Sequence, residues 1–169
     1  MSLDQDLLKL ARRLVSLEKN KPKQSSLRRA VSTAYYSVFH LLVQEATRQV
    51  TPGGSLDFRN QVARAFDHTT MRQVCAAFSG AAQLPKAIGG SISAPIEEEL
   101  RSLAGLFVDL QARRHSADYD IGVKFTRLEV LALIRKTRRT VQKWRTAPKS
   151  ENRRVFLTAL LINRLWRAA

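Results

Sequence analysis

The sequence predicts an all-α protein, an up-and-down bundle of about five to six helices. Three observations carry this reading. Apolar residues recur at three- and four-residue steps over most of the 169 residues, the period of one helix face. No stretch alternates apolar and polar residues for the length of a strand. The helical stretches are separated by short punctuation (Pro22, the turn Thr51-Pro52-Gly53-Gly54-Ser55, Pro148) of the kind that joins antiparallel neighbours. No internal repeat is present.

The first helix is expected from Leu3 to about Lys19, where Leu3, Leu7, Leu10, Ala11, Leu14 and Leu17 form one stripe and Pro22 ends it. The rest of the chain is organised around residues 25–50. Ser25 or Ser26 can accept a bond from the free amides of that first turn. The 24 residues after Ser26 contain neither Gly nor Pro, enough for about seven turns. Leu27, Ala30, Val31, Ala34, Tyr35, Val38, Leu41 and Leu42 share one face, and Tyr36, Phe39 and Val43 widen it. The polar arc holds Arg29, Thr33, Ser37, His40 and Gln44. An apolar arc of roughly two thirds of the circumference is wider than a surface helix needs, and implies cover on two sides, by the bundle and by a second subunit.

The third helix is expected from Ser55 or Asp57 towards Phe78. Phe58, Val62, Ala65 and Phe66 make its first apolar stripe, and Val74, Cys75 and Phe78 its second. Between them Thr70 and Gln73 fit a capping box, so the helix can break and restart at Asp67-His68-Thr69-Thr70. Residues 80–95 form the longest irregular piece. The fourth helix is expected from about Ser93 to Arg114, with Glu97, Glu98 and Glu99 where the dipole favours acids and Leu100, Leu103, Ala104, Phe107 and Leu110 in its core. Residues 115–122 read as a polar turn. Thr126 and Glu129 form a capping box for the fifth helix, with Leu128, Leu131, Ala132, Ile134 and Val141 apolar and Arg135, Lys136, Arg138, Arg139, Lys143 and Arg145 on its other faces. Ser150 can cap a sixth helix to about Ala168. Val155, Phe156, Leu157, Leu160, Leu161, Ile162, Leu165 and Trp166 make it apolar nearly all round, so it must be buried or lie at an interface. The expected division is a bundle of residues 1–147 and a helical extension, 148–169, packed on it or at a dimer interface.

Composition narrows the classes. A hydrophobic content of 44% supports a real core. One cysteine, Cys75, excludes an intramolecular disulfide framework and suits a reducing cytoplasm. The start of the chain does not have the pattern of a signal peptide, and no stretch approaches the length of a membrane span. The net charge is +15 and is unevenly spread. Residues 124–169 hold 13 Lys and Arg against two acids, giving +11, whereas residues 1–123 hold 16 against 12, giving +4. Such asymmetry points to a polyanion, most simply nucleic acid, with the fifth helix as the contact. An acidic protein, an anionic membrane surface and a merely solvated basic face are the other readings. Three histidines and one cysteine far apart in sequence make no zinc site, and no glycine-rich phosphate loop is present. No metal or cofactor is therefore expected.

Two segments, Arg28-Arg-Ala-Val-Ser-Thr-Ala-Tyr-Tyr-Ser-Val-Phe-His40 and Arg113-Arg-His-Ser-Ala-Asp-Tyr-Asp120, together resemble the HEPN superfamily. The likeness is closest to its uncharacterised prokaryotic members with an AYYxxFH helix followed by RxxxADYD, and spans roughly Leu3 to Trp144. It implies a helical bundle, usually a homodimer. Many HEPN proteins are metal-independent ribonucleases of defence or toxin–antitoxin systems, often encoded beside a nucleotidyltransferase. Their site pairs an Arg with a His across four to six intervening residues, and is assembled from both subunits. Others lack that pair and serve as binding or dimerising modules.

This chain departs from the pattern where it matters: counting from Arg113, four residues intervene before Asp118, where the ribonuclease members have His. Metal-free RNA cleavage needs a base for the 2′-hydroxyl, an acid for the leaving oxygen and a cation for the phosphorane. Histidine titrates near about 6.5 and can move either proton. Aspartate, at about 3.9, serves as a base but is a poor acid. On that reading Arg113 or Arg114 holds the phosphate, Asp118 is the base, and His40 or His115 the acid. Arg29, Tyr36 and Tyr119 are further site candidates. Against it, Asp118 or Asp120 can cap the turn or pair with Arg113, Arg114 or Arg28, Tyr119 can pack into the bundle, and the tyrosines can be core. The leading expectation is a dimeric RNA-acting component of a toxin–antitoxin or defence system. The alternative is a non-enzymatic dimeric module that docks a nucleotidyltransferase or other protein.

Overall fold

The computed structural model describes residues 2–84 and 86–168, without the side chains of Ala87 and residues 163–168. The expected apolar positions Leu165 and Trp166 lie outside the described side chains. Within it the protein is all-α, a helical bundle: α1 (Leu3–Val15), α2 (Gln24–Val50), α3 (Leu56–Ala63), α4 (His68–Ser79), the single turn α5 (Lys86–Gly89), α6 (Glu98–Tyr119), α7 (Arg127–Thr146) and α8 (Glu151–Ala168). The number of segments exceeds the expected five to six because the third helix is two, and because the irregular stretch 80–95 holds a turn of helix. No helix among the described residues is long and apolar enough to cross a membrane.

The chain forms two compact units, residues 1–41 with 106–143, and residues 42–105 with 144–169. α8 shares the second unit with α3 and α4.

In the first unit, α1 stops at Val15, four residues short of the expected Lys19. The carbonyls of Glu18 and Lys19 accept from the guanidinium of Arg127 instead of extending the helix. α1 buries Asp4, Ala11 and Val15, and not the expected leucine stripe. Neither Ser25 nor Ser26 caps α2. The helix already begins at Gln24, whose side-chain amide pairs in both directions with the backbone of Phe125 at 2.8 and 2.9 Å, while Ser26 donates to Glu18 at 2.8 Å. The Ser26 hydroxyl, followed by the Lys23 amide, holds the Glu18 carboxyl below its ordinary value. The first part of α2 is buried through Leu27, Ala30, Val31, Ala34, Tyr35 and Val38, with Tyr35 against Phe107 at 5.4 Å. Burying Leu27, Val31 and Val38 contributes roughly 1.5–3 kcal/mol each, and the alanines less. Ser32, Thr33 and Ser37 are buried as well. Thr33 and Ser37, expected on a solvated arc, satisfy their hydroxyls on the carbonyls of Arg29 and Ala34, both at 2.7 Å. The wide arc of α2 is thus largely covered within one chain, without a second subunit.

α7 begins with the expected capping box: the amide of Thr126 donates to Glu129 Oε2 at 2.8 Å, and that of Glu129 to Thr126 Oγ1 at 3.2 Å. Its buried row is Val130, Leu133, Ile134 and Thr137, whereas Leu128 and Ala132, expected in the core, are exposed.

In the second unit, α3 begins where expected, with Ser55 capping it at the Phe58 amide (3.2 Å), yet α3 buries no residue. Phe58 and Ala65 are exposed, and of that expected stripe only Phe66 is buried. The break before α4 is real, but its cap is Asp67, which accepts from the Thr70 amide at 2.8 Å, not Thr70. α4 ends at Gly80, whose φ of +86° is open to glycine at little cost. α4 packs on α8, with Phe78 and Phe156 at 5.1 Å. The expected cap Ser150 accepts from the Arg153 amide at 3.1 Å. Arg153 is only 8% exposed. It lies 3.7 Å from the centre of the Trp144 ring, pairs with Glu45 at 2.8 Å, and donates to the carbonyls of Trp144 and Ala147. The Trp144 indole N–H donates to the same Glu45 oxygen at 2.9 Å.

Candidate functional site

The candidate residues fall in the first unit, on α2, the end of α6, and α7. α6 does not stop at Arg114, so residues 115–119, expected in a turn, are helical. The physical cause is Arg28. Its guanidinium donates to the carbonyls of Ser116 (3.5 Å), Ala117 (2.9 Å), Asp120 (2.8 Å) and Val123. Ala117 is among the last carbonyls of α6, which a helix end leaves short of backbone partners, Asp120 and Val123 belong to the reversal that follows, and a cation there also suits the dipole. Asp120 then closes the chain reversal by accepting from the Gly122 amide at 2.9 Å.

The helical extension puts Arg114 and Asp118 four residues apart on one face. Arg114 Nε donates to Asp118 Oδ2 at 3.2 Å, while Asp118 Oδ1 accepts from the buried Ser32 hydroxyl of α2. The Arg114 guanidinium lies 5.3 Å from the Tyr35 ring centre and 5.1 Å from that of Tyr36, within cation–π range. Its side chain is 18% exposed. Both carboxylate oxygens of Asp118 are engaged, so taking a proton from a ribose hydroxyl requires releasing one of these bonds.

Arg113 does not join this cluster. Consecutive helical residues point about 100° apart, and Arg113 Nε pairs with Asp109 at 2.8 Å. The other oxygen of Asp109 receives Lys136 Nζ of α7 at 3.3 Å. Arg113 and Arg114 are therefore not two arms of one phosphate clamp. His115 and Tyr119 are exposed and face each other one turn apart, with ring centres at 5.1 Å. Tyr119 does not pack back into the bundle.

Ser32, Tyr36 and His40 follow at four-residue steps along α2, so they share a ridge. His40 is half-buried, its ring 5.4 Å from Phe39 and 6.3 Å from Tyr36. Burial lowers its pKa, against a smaller opposing pull from Asp4, so the imidazole is neutral at pH 7. Arg29 is exposed.

Opposite its buried row, α7 presents Arg135, Lys136, Arg138, Arg139 and Lys143, all exposed. Arg135 folds back on the Leu131 carbonyl at 3.3 Å, and Lys136 holds Asp109. Among the described residues, Arg138 and Arg139 carry no ion pair.

Ser32 and the capping use of Arg28 were not read as parts of this site from sequence. The sole hint was Arg28 as a possible partner of the ADYD carboxylates, whereas it binds carbonyls. Among the described residues no group of three or more His, Cys, Asp or Glu side chains is placed to hold a metal ion. No protein family, curated protein or solved structure matches the chain.

Proposed function

We propose that the protein binds RNA through the exposed basic face of α7, as a HEPN-like component of a toxin–antitoxin or defence system. The observation that carries this reading is the exposed set Arg135, Lys136, Arg138, Arg139 and Lys143 on one helix, within a stretch, residues 124–169, of net charge +11. Phosphates attract such a row regardless of sequence, and binding then releases counterions. The test is anisotropy of a labelled single-stranded RNA over a salt series. Replacing Arg138 and Arg139 with Ala should weaken binding and reduce the slope of log K against log salt by about 1.4 if each contacts one phosphate. An unchanged slope places the contact elsewhere, and no binding at low salt removes the proposal.

A second reading is favoured by the Arg114–Asp118–Ser32 arrangement, in which the arginine and the aspartate bind each other. On that reading the chain is a non-enzymatic module that docks a protein such as a nucleotidyltransferase. Incubation with RNA in EDTA separates the two. Cleavage that Arg114→Ala abolishes supports a ribonuclease, in which Arg114 stabilises the phosphorane. Absence of cleavage of any RNA tested favours the module.

A further inference from the structure

The outer side of α1 sets exposed leucines beside exposed cations. Its inward side is Asp4, Ala11 and Val15. Rotated roughly 120° from these, at 3.6 residues per turn, stand Leu3 and Leu10, 47% and 44% exposed, with Leu7 and Leu14 half-buried on the row's inner edge. Leu17, 67% exposed, continues the row just past the helix, in a turn closed by its amide on the Leu14 carbonyl at 3.4 Å. On the outer edge of the row Lys9 and Arg13 are exposed, and Arg12 lies beyond them. The connector after the helix adds exposed Lys19, Lys21 and Lys23. That connector is tied to the unit: Glu18 accepts from the Ser26 hydroxyl at 2.8 Å and from the Lys23 amide at 3.3 Å, and the carbonyls of Glu18 and Lys19 accept from Arg127. The acids are mostly withdrawn. Asp4 is buried and Glu18 is engaged by these donors, which leaves Asp6 as the exposed acid of residues 3–23.

We infer that this side of α1 is a docking surface for an anionic lipid bilayer, on which the helix lies in the plane of the interface. Two observations select that occupant, and neither does so alone. A leucine row by itself fits any apolar partner, and a basic stretch by itself fits any polyanion. A bilayer surface offers both in layers, anionic headgroups outside and acyl chains beneath them. The leucines and the cations of α1 are arranged in the same order. With the helix lying flat, Leu3 and Leu10 point to the acyl boundary, about 10 Å apart along the axis at 1.5 Å per residue. Lys9 and Arg13, a step further round the helix, reach the headgroups, where long side chains carry their charge back towards water. Lys19, Lys21 and Lys23 continue the positive charge beyond the helix end, next to Leu17. Nucleic acid would satisfy these cations and leave the leucines in water. Three exposed leucines are too few to hold the chain by themselves, so the contact needs both the apolar and the charged component and is reversible.

The test is co-sedimentation of the whole chain with vesicles of phosphatidylcholine alone and of equal parts phosphatidylcholine and phosphatidylglycerol. The parent should bind the anionic vesicles and not the neutral ones, and molar salt should release it. Leu10→Glu with Leu17→Glu should lower binding by about tenfold or more, with unchanged helicity because both side chains are already exposed. Lys19→Gln, Lys21→Gln and Lys23→Gln together should lower it by about the same factor. Arg138→Ala with Arg139→Ala should leave vesicle binding intact, and the leucine variant should leave RNA binding intact, so this surface and the proposed RNA contact fail separately. A parent that ignores anionic vesicles overturns the proposal. Vesicle binding that survives the leucine substitutions overturns it too, because the contact is then one of charge alone. Vesicle binding that is lost instead with Arg138 and Arg139 gives the lipid contact to α7 and removes it from α1.

Discussion

Two arginines, one in each compact unit, are held by a carboxylate and by aromatic rings, yet they are not alike. In the second unit Arg153 is almost wholly buried, lies 3.7 Å from the Trp144 ring centre, and donates to two carbonyls as well as to Glu45. In the first unit Arg114 is twice as open, sits above 5 Å from its two tyrosine rings, and is held through Nε alone. Arg153 joins the end of α7 and α8 to Glu45 of α2 and is architecture. Arg114 is partly exposed. The family-like motif surrounds Arg114, while no motif marks Arg153, so motif and mechanical importance have separate addresses in this chain.

The largest effect should come from the closed arginine. Glu45→Ala leaves a buried guanidinium without its counter-charge and an indole N–H without an acceptor. Breaking one side of such a buried pair costs about 3–5 kcal/mol, which urea unfolding followed by helicity will read. A cost below about 1 kcal/mol would mean that Arg153 is no more committed than Arg114 and would dissolve the contrast.

The open arginine should give a smaller effect. Asp118→Ala removes an i,i+4 ion pair and the acceptor of Ser32, and should cost about 1 kcal/mol. RNA affinity should stay unchanged, because the proposed contact is α7. A rise in affinity would instead mark Arg114 as a phosphate ligand that its own aspartate masks.

The smallest effect sharpens the surroundings of Tyr36. The pKa of His40 is lowered in the folded state, chiefly by burial. As pH falls below about 6.5 the unfolded chain takes up that proton first. The stability that neutral His40 supplies is therefore complete above that pH, declines as pH falls towards the folded value, and is constant below it. His40→Gln should flatten this part of the stability–pH curve. If the slope persists, another group is responsible.

Much of the fold was legible because its signals are local. The Thr126–Glu129 box, the Ser150 cap, and the Leu100, Leu103, Ala104, Phe107 and Leu110 stripe each involve residues within a few positions of one another, and all are found in place. The misreadings arise from distant partners. Arg28 lengthens α6 from nearly ninety positions away, and Arg127 shortens α1 from more than a hundred. Periodicity revealed that α1 has a leucine stripe but not which side of it faces the chain, since Ala11 and Val15 on the neighbouring arc serve as well. At the candidate site, the Arg114–Asp118 pair follows from a spacing of four once the helix is known to continue. The Ser32 contact has no sequence signature.

The aromatic residues sort themselves between the units in a way that makes the molecule its own instrument. Both tryptophans, Trp144 and Trp166, belong to residues 144–169, and all three tyrosines, Tyr35, Tyr36 and Tyr119, to residues 1–41 and 106–143. Indole emission excited at long wavelength therefore comes from one unit alone, and phenol absorbance changes come mostly from the other. Denaturation curves recorded at the two colours will superimpose if the units melt as one cooperative body and separate if either opens first. The unlabelled wild-type chain thus carries the two reporters needed to tell one transition from two.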